Sequence, residues 1–296
     1  MGRNVKVLLL VSILFGVASG IYDFILPYYL EGQGLSFRSM GYVFAGATLA
    51  MFAVRIGLGN LADQWGSKRL YLLAVSSCAL ACLATPFTAS LLLLILLKTL
   101  REVGVLARDT AHPLLLYAEG RSRFVDFIGK TRGVEFFFLA VGTWIAGMGI
   151  ATVGDRYSLW LGAGALALAV LLMGLGVHSR EPARVHKAVS LRSLLNFDLP
   201  RNLRVIMVAN FIFSVGLSTS HSFIMPLFFS QKFGESAATV STVMTIHRLT
   251  SVLPLLLVGY LQLRHYKAVF IATVFLEGVA ISAGALIPDF FWAAAI

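Results

Sequence analysis

The chain has 296 residues; 58% are hydrophobic, only 13% are charged, and the mean hydropathy is +0.84. Soluble globular proteins carry about 25% charged residues, so the composition places this chain in the membrane class. Its formal charge of +10 does not point to nucleic acid, because the basic residues sit in short gaps between apolar runs, as positive-inside loops do.

The apolar runs fall at 5–30, 38–62, 70–88, 90–108, 128–152, 158–178, 203–230, 236–261 and 268–287, and a tenth begins near 289 and is cut at Ile296. Each of the nine is near the length a helix needs to cross about 30 Å of hydrocarbon. The first follows Arg3 and Lys6 as a signal peptide would, but it is too long for a signal h-region and contains Asp23 and Pro27. It is therefore read as the first membrane helix. Cys78 and Cys82 lie one helical turn apart in the third run, with no further ligands to suggest a metal, and are read as structural.

The connections alternate in charge. With the N-terminus in the cytoplasm, 17 of the 24 Lys and Arg residues fall in inside loops, three (Arg38, Arg156, Lys232) outside, and four (Arg55, Lys98, Arg101, Arg248) within helices. That asymmetry fixes the expected orientation. Residues 179–202 form the longest polar stretch, and Leu191, Leu194, Leu195 and Phe197 within it suggest a short amphipathic helix on the membrane surface.

An internal repeat supports a division at that stretch. Phe24-Ile25-Leu26-Pro27 recurs as Phe223-Ile224-Met225-Pro226, and Gly59-x-Leu61 as Gly259-x-Leu261. The expected organisation is a six-helix bundle over 1–178, a cytoplasmic connection over 179–202 and a partial second bundle over 203–296. Two same-sense halves are one known transporter plan. The repeat offset maps Ile296 onto Leu97, within the fourth run, so roughly 80 further residues completing helices 10 to 12 are expected by analogy with the first half.

The sharpest motif is Gly59-Asn-Leu-Ala-Asp63-Gln-Trp-Gly66-Ser-Lys68-Arg69, in the short inside loop after the second run. Glycines there permit a tight turn and close helix approach, and Asp63 lies where an acid can cap helix N–H groups. The motif resembles the loop signature of the major facilitator superfamily, G-x-L-a-D-r-x-G-r-r, with Gln64 in place of the usual base. The equivalent loop of the second half, Gly259 to Lys267, keeps the glycine and the bases but lacks the acid. The resemblance implies an all-α membrane fold of two pseudo-symmetric six-helix bundles, the second incomplete. It further implies a gating role for Gly59, Asp63, Gly66, Lys68 and Arg69, joined by Arg108 and Asp109 in a charge network around Asp63.

Charges within the membrane are costly and usually face a cavity or a partner. Lys98 and Glu102 are four apart and can pair on one face of a helix, which leaves Arg101 for a central cavity. Arg101 resembles the superfamily's fourth-helix arginine, tied to proton coupling or anionic substrates, although Gly104 comes one residue early. The competing reading is an interhelix pair between Arg101 and Glu135. Asp23, preceded by Tyr22, can accept a proton as the cavity alternates between sides; the bland alternative is a hydrated acid near the interface. His221 aligns with Tyr22 in the repeat and is a weaker cavity candidate. His247, Arg248 and Glu277 are similar cases, and Arg55 is read as support for the gate. Gly133, Gly142, Gly147 and Gly149 partly resemble an antiporter glycine signature, but small-residue packing accounts for them better, so efflux is only a lean.

No G-x-x-x-x-G-K-[ST], H-E-x-x-H or G-x-S-x-G occurs, and no cofactor, metal or nucleic-acid partner is expected. The resulting expectation is a monomeric, multi-pass, inner-membrane secondary transporter of an unidentified small solute, proton-coupled and leaning to efflux by antiport, and not an enzyme. Two rivals differ in class. One is an integral-membrane enzyme using Asp109, His112, Glu119 and Asp126 of an inside loop; the other is a transport-dead sensor on the same fold.

Overall fold

The structure, a computed structural model, describes residues 2–178, 223–250 and 266–295, with isolated positions 205, 208, 209, 212, 213, 216 and 252. The described residues are helical and contain no strand. The helices are α1 (Arg3–Gly32), α2 (Phe37–Trp65), α3 (Ser67–Ala84), α4 (Leu91–Glu119), α5 (Phe124–Thr152), α6 (Asp155–Gly176), α7 (Met225–Phe233), α8 (Ala237–Thr250), α9 (Tyr266–Leu286) and α10 (Phe290–Ala295). The expected connection at 179–202, His221 and the loop from Gly259 to Arg264 lie outside the described residues.

Among the described residues, five helices are long and apolar enough to cross a membrane: α1, α2, α3, α5 and α6. Among the first six runs the fourth is the exception, because its helix carries Lys98, Arg101, Glu102, Arg108 and Asp109 on one stretch. It also runs well past its expected end at residue 108. Residues 109–119, expected in an inside loop, continue the helix as far as Glu119. The buried stripe Arg101, Gly104, Arg108, Ala111, His112, Leu115 keeps the three-and-four spacing of one helical face, so packing carries the helix beyond its apolar segment.

In the first half each helix leans on two neighbours. α1 packs between α5 and α6, α3 between α6 and α4, and α2 against α4. The α1–α5 contact is made by glycine on both sides. A Cβ on Gly16 would strike the Glu135 carbonyl, one on Gly20 the Leu139 carbonyl, and one on Gly142 the Val17 backbone. Without a hydrophobic effect between apolar surfaces in lipid, such close backbone approach is a main source of helix association. The glycines of α5 are thus spent on neighbours: Gly142 on α1, Gly147 on Ser241 of α8 and Gly149 on Ser158 of α6.

The second half docks on this frame through α7 and α8. α8 lies along α5, where Thr245 donates to the Ala140 carbonyl at 3.1 Å. The Tyr28 hydroxyl of α1 donates to the Pro226 carbonyl at 3.0 Å, and Phe44 of α2 stacks on Phe223 with ring centroids 4.9 Å apart. Gln231 donates to Glu31 across 2.6 Å. These contacts set the second copy of the Phe-Ile-x-Pro repeat against α1 and α2.

Candidate functional site

The signature loop turns on one residue. Gly66, the only residue between α2 and α3, has φ +81°, a left-handed value that strongly favours glycine. Lys68, in the first turn of α3, donates to the carbonyls of Gly174 at 3.0 Å and Val177 at 2.6 Å. It thereby caps the C-terminal end of α6 with a cation, where the helix dipole favours one. Asp63 is exposed in the last turn of α2, and α3 begins at Gly66 without a side-chain cap, so the expected capping by Asp63 is absent. Gly59 has open space at its Cβ position, and the close helix approach expected of it falls instead to Gly104. A Cβ on Gly104 would stand 2.8 Å from both the Ala74 carbonyl and Cys78 Sγ of α3. Arg55 and Arg69 are exposed.

Two charge clusters lie along α4. In the outer one, Arg101 Nη2 is 2.9 Å from Asp23 Oδ1 of α1, and Arg101 Nη1 is 2.8 Å from Glu102 Oε1. Lys98 Nζ approaches the same Glu102 oxygen at 2.6 Å. The expected Lys98–Glu102 pair is present; Arg101 also takes Glu102, and its interhelix partner is Asp23 rather than Glu135. The Arg101 guanidinium stands 4.8 Å from the Tyr22 ring centroid, and the Lys98 ammonium 5.5 Å from the Tyr22 centroid and 5.1 Å from that of Phe44. The Tyr22 hydroxyl is buried beside Thr85. α1 and α4 barely touch through their backbones, so these side chains span the interior between them.

The inner cluster is centred on Arg108, whose side chain is 0% exposed. It meets Glu135 of α5 at 2.7 Å, Asp109 at 3.0 Å, the Tyr71 hydroxyl of α3 at 3.2 Å and the Ser12 hydroxyl of α1 at 3.2 Å. Arg132 adds a second base, 2.9 Å from Asp109 and 3.2 Å from Glu135. Arg108 and Asp109 were expected around Asp63; they instead tie α4 to α1, α3 and α5. The reason is register: Arg108 follows Arg101 by seven residues, two turns along the same face, so it points into the bundle rather than toward the loop. His112, one turn further, is buried and shares a hydrogen bond of 3.1 Å with Thr131. Glu119 accepts from Asn4 and Asp126 pairs with Lys130, so the residues proposed for an interfacial enzyme face four different neighbours.

Residues 1–117 match the sequence model of the Major Facilitator Superfamily. Among solved structures, the chain is similar to the nucleoside transporter NupG. A single-substitution mutant of that protein matches with TM-score 0.67 and 17% identity over 86% of this chain and 67% of the other. Another NupG structure matches with TM-score 0.65 and 17% identity over 88% and 67%. The chain is built on the major facilitator fold. No protein of curated function matches it in sequence.

Within that fold the outer cluster unites four of the expected cavity residues besides Tyr22, and Glu135 belongs to the inner cluster. Sequence reasoning missed Tyr71 and Ser12 as partners of Arg108, Arg132 as a second base on Asp109 and Glu135, and Thr143 as a partner of Arg248, whose guanidinium donates to its hydroxyl. A hydroxyl in an apolar run carries no pattern that announces its partner. Arg132 was counted among the inside-loop bases although it lies within the run at 128–152, and α5, which begins at Phe124, holds it two turns inside the helix.

Proposed function

We propose that this chain is a secondary active transporter of a small solute, working by alternating access and driven by protons, with Asp23 and Arg101 at its coupling site. The observation that carries this is the Asp23–Arg101 pair, 2.9 Å long, reaching between two helices that otherwise hardly meet. Protonating Asp23 removes its charge and frees one arm of Arg101, while Glu102 still holds the other. The protonated and ionised states therefore differ in how α1 is tied to α4, which is what coupling a proton to a conformational change requires. Lys98 and Glu102 shape the field around that pair, and Tyr22 walls it.

Gly59, Asp63, Gly66, Lys68 and Arg69 form the gating loop in this reading, whereas Arg108, Asp109 and Glu135 hold the first bundle together as it moves. The chain sits in the plasma (inner) membrane as a monomer with its N-terminus in the cytoplasm. The nucleoside specificity named for NupG is not carried over at 17% identity.

The test is flux in vesicles containing the full chain and carrying an imposed pH gradient. Asp23→Asn, which keeps shape but cannot ionise, is expected to abolish gradient-driven flux while leaving exchange without a gradient measurable. Unchanged gradient-driven flux would remove Asp23 from coupling. The side on which solute must be loaded gives the direction, for which efflux is the expectation.

A further inference from the structure

The halves meet at the end of the bundle where α1 finishes and α2 begins, the outer end in the orientation read from the basic loops. The last turns of α1 hold Pro226 through Tyr28 at 3.0 Å and Gln231 through Glu31 at 2.6 Å. The first turns of α2 hold Phe223, two residues before α7. Its ring stacks on Phe44 with centroids 4.9 Å apart and planes at 15°, and lies 6.2 Å from Phe37. Phe44 and Phe223 are both buried. Phe44 is also engaged by the outer charge cluster: Lys98 Nζ stands over its ring, 5.1 Å from the centroid, within the roughly 6 Å over which an ammonium is drawn to a ring face. The Lys98 side chain is only 4% exposed, and a desolvated cation gains most from such a face. One ring of the first half thus lies between a buried cation and the aromatic side chain that the second half brings.

The same ammonium belongs to the proposed coupling cluster. Lys98 shares Glu102 Oε1 with Arg101, and Arg101 holds Asp23. A continuous path of side chains therefore runs Asp23, Arg101, Glu102, Lys98, Phe44, Phe223, with links of 2.9, 2.8, 2.6, 5.1 and 4.9 Å.

We infer that Lys98 is the positioning residue of an aromatic outer gate: it holds the Phe44 ring against Phe223 and ties closure of that contact to the state of the Asp23–Arg101 pair. The inference rests on the transport reading above and deepens it. Neutralising Asp23 leaves Lys98 and Arg101 on one carboxylate, Glu102. Arg101 then takes a larger share of Glu102, and Lys98 leans more on the rings of Phe44 and Tyr22. The closed outer contact is favoured in that state because only it presents Phe44 to the cation and to Phe223 together.

The test is the distance between two spin labels on the full chain in lipid nanodiscs, one at Gln33→Cys after α1 and one at Glu235→Cys after α7, with Cys78 and Cys82 replaced. Neither label site takes part in the contacts above. Lys98→Met should lower the ratio of close to distant label pairs at least about threefold, and Phe44→Leu, which keeps apolar bulk but has no ring face, should do the same. In the Phe44→Leu chain Lys98→Met should add less than about twofold, because both remove one link. Lys98→Arg, which keeps the cation, should stay within about twofold of the parent. Asp23→Asn should raise the ratio at least about threefold, and only while Lys98 is present. An unchanged ratio in Lys98→Met, full additivity with Phe44→Leu, or an Asp23→Asn response that persists without Lys98 overturns the inference. Glu102 keeps Arg101 when Lys98 is lost, so Lys98→Met strands no acid, and Lys98→Met and Phe44→Leu each read the gate if the other fails to fold. Vesicles that carry solute while the ratio ignores Lys98 and Phe44 defeat this inference alone. A ratio that responds as expected in a chain that moves no solute defeats the transport reading and leaves the aromatic contact standing.

Discussion

Arg108 of α4 and Glu135 of α5 lie 2.7 Å apart, and the arginine side chain is wholly buried. Around them Asp109, Arg132, Tyr71 and Ser12 complete a network that reaches four helices. Two bases and two acids balance here, as Lys98 and Arg101 balance Asp23 and Glu102 in the outer cluster two turns away along α4.

Removing one member of such a network strands its partner. Arg108→Ala should lower stability by about 3–5 kcal/mol, because Glu135 keeps only Arg132. The double variant Arg108→Ala, Glu135→Ala should recover part of that loss. Thermal unfolding in detergent reads both, and equal melting of the single variant and the parent would refute the assignment.

Glycine packing gives a second contrast. Gly20→Val and Gly142→Leu place side chains where backbone of the facing helix already stands, and each should cost about 1–3 kcal/mol or more. Gly164→Ala on α6 meets open space and should be neutral or stabilising by up to about 1 kcal/mol. Yield of folded protein and its unfolding temperature separate the two groups.

The signature loop divides in the same way. Gly66→Ala must hold φ near +81° and should lose about 1–2 kcal/mol. Gly59→Ala has free space in a helix and should not destabilise the chain. A Gly59→Ala variant that folds normally but changes flux would separate gating from packing at that position.

Lys68 makes two hydrogen bonds to the end of α6. Lys68→Met should cost about 1–3 kcal/mol, the range for bonds from a charged donor, and fray the end of α6. Hydrogen exchange over residues 173–177 should rise locally.

Orientation is open to labelling. In a background where Cys78 and Cys82 are replaced, Arg156→Cys at the start of α6 should react with an impermeant thiol reagent on intact cells. Arg121→Cys, in the turn after α4, should react only after the membrane is opened. The reverse pattern would invert the topology inferred from the basic loops.

Apolar runs of the right length mark membrane helices because lipid demands internally satisfied backbone over about 30 Å. That demand depends on local composition, so α1, α2, α3, α5 and α6 were legible within a few residues. Gly66 was legible too, since a one-residue turn between two long helices requires a residue free to adopt positive φ. The spacing of Lys98 and Glu102 was enough for their pair, because both partners sit on one helix. Partners on different helices are set by how the helices rotate and how closely they approach. Asp23 and Arg101 were each marked by burial cost, but their meeting depends on α1 lying opposite α4. Glu135 was matched to the wrong arginine because Arg101 and Arg108 share one face, and only the height of α5, held against α1 by Gly16, Gly20 and Gly142, decides which it reaches. Local periodicity and hydropathy therefore determined which segments cross the membrane and which charges are held there at a cost. Close packing between helices, a property of no single segment, decided which of those charges meet.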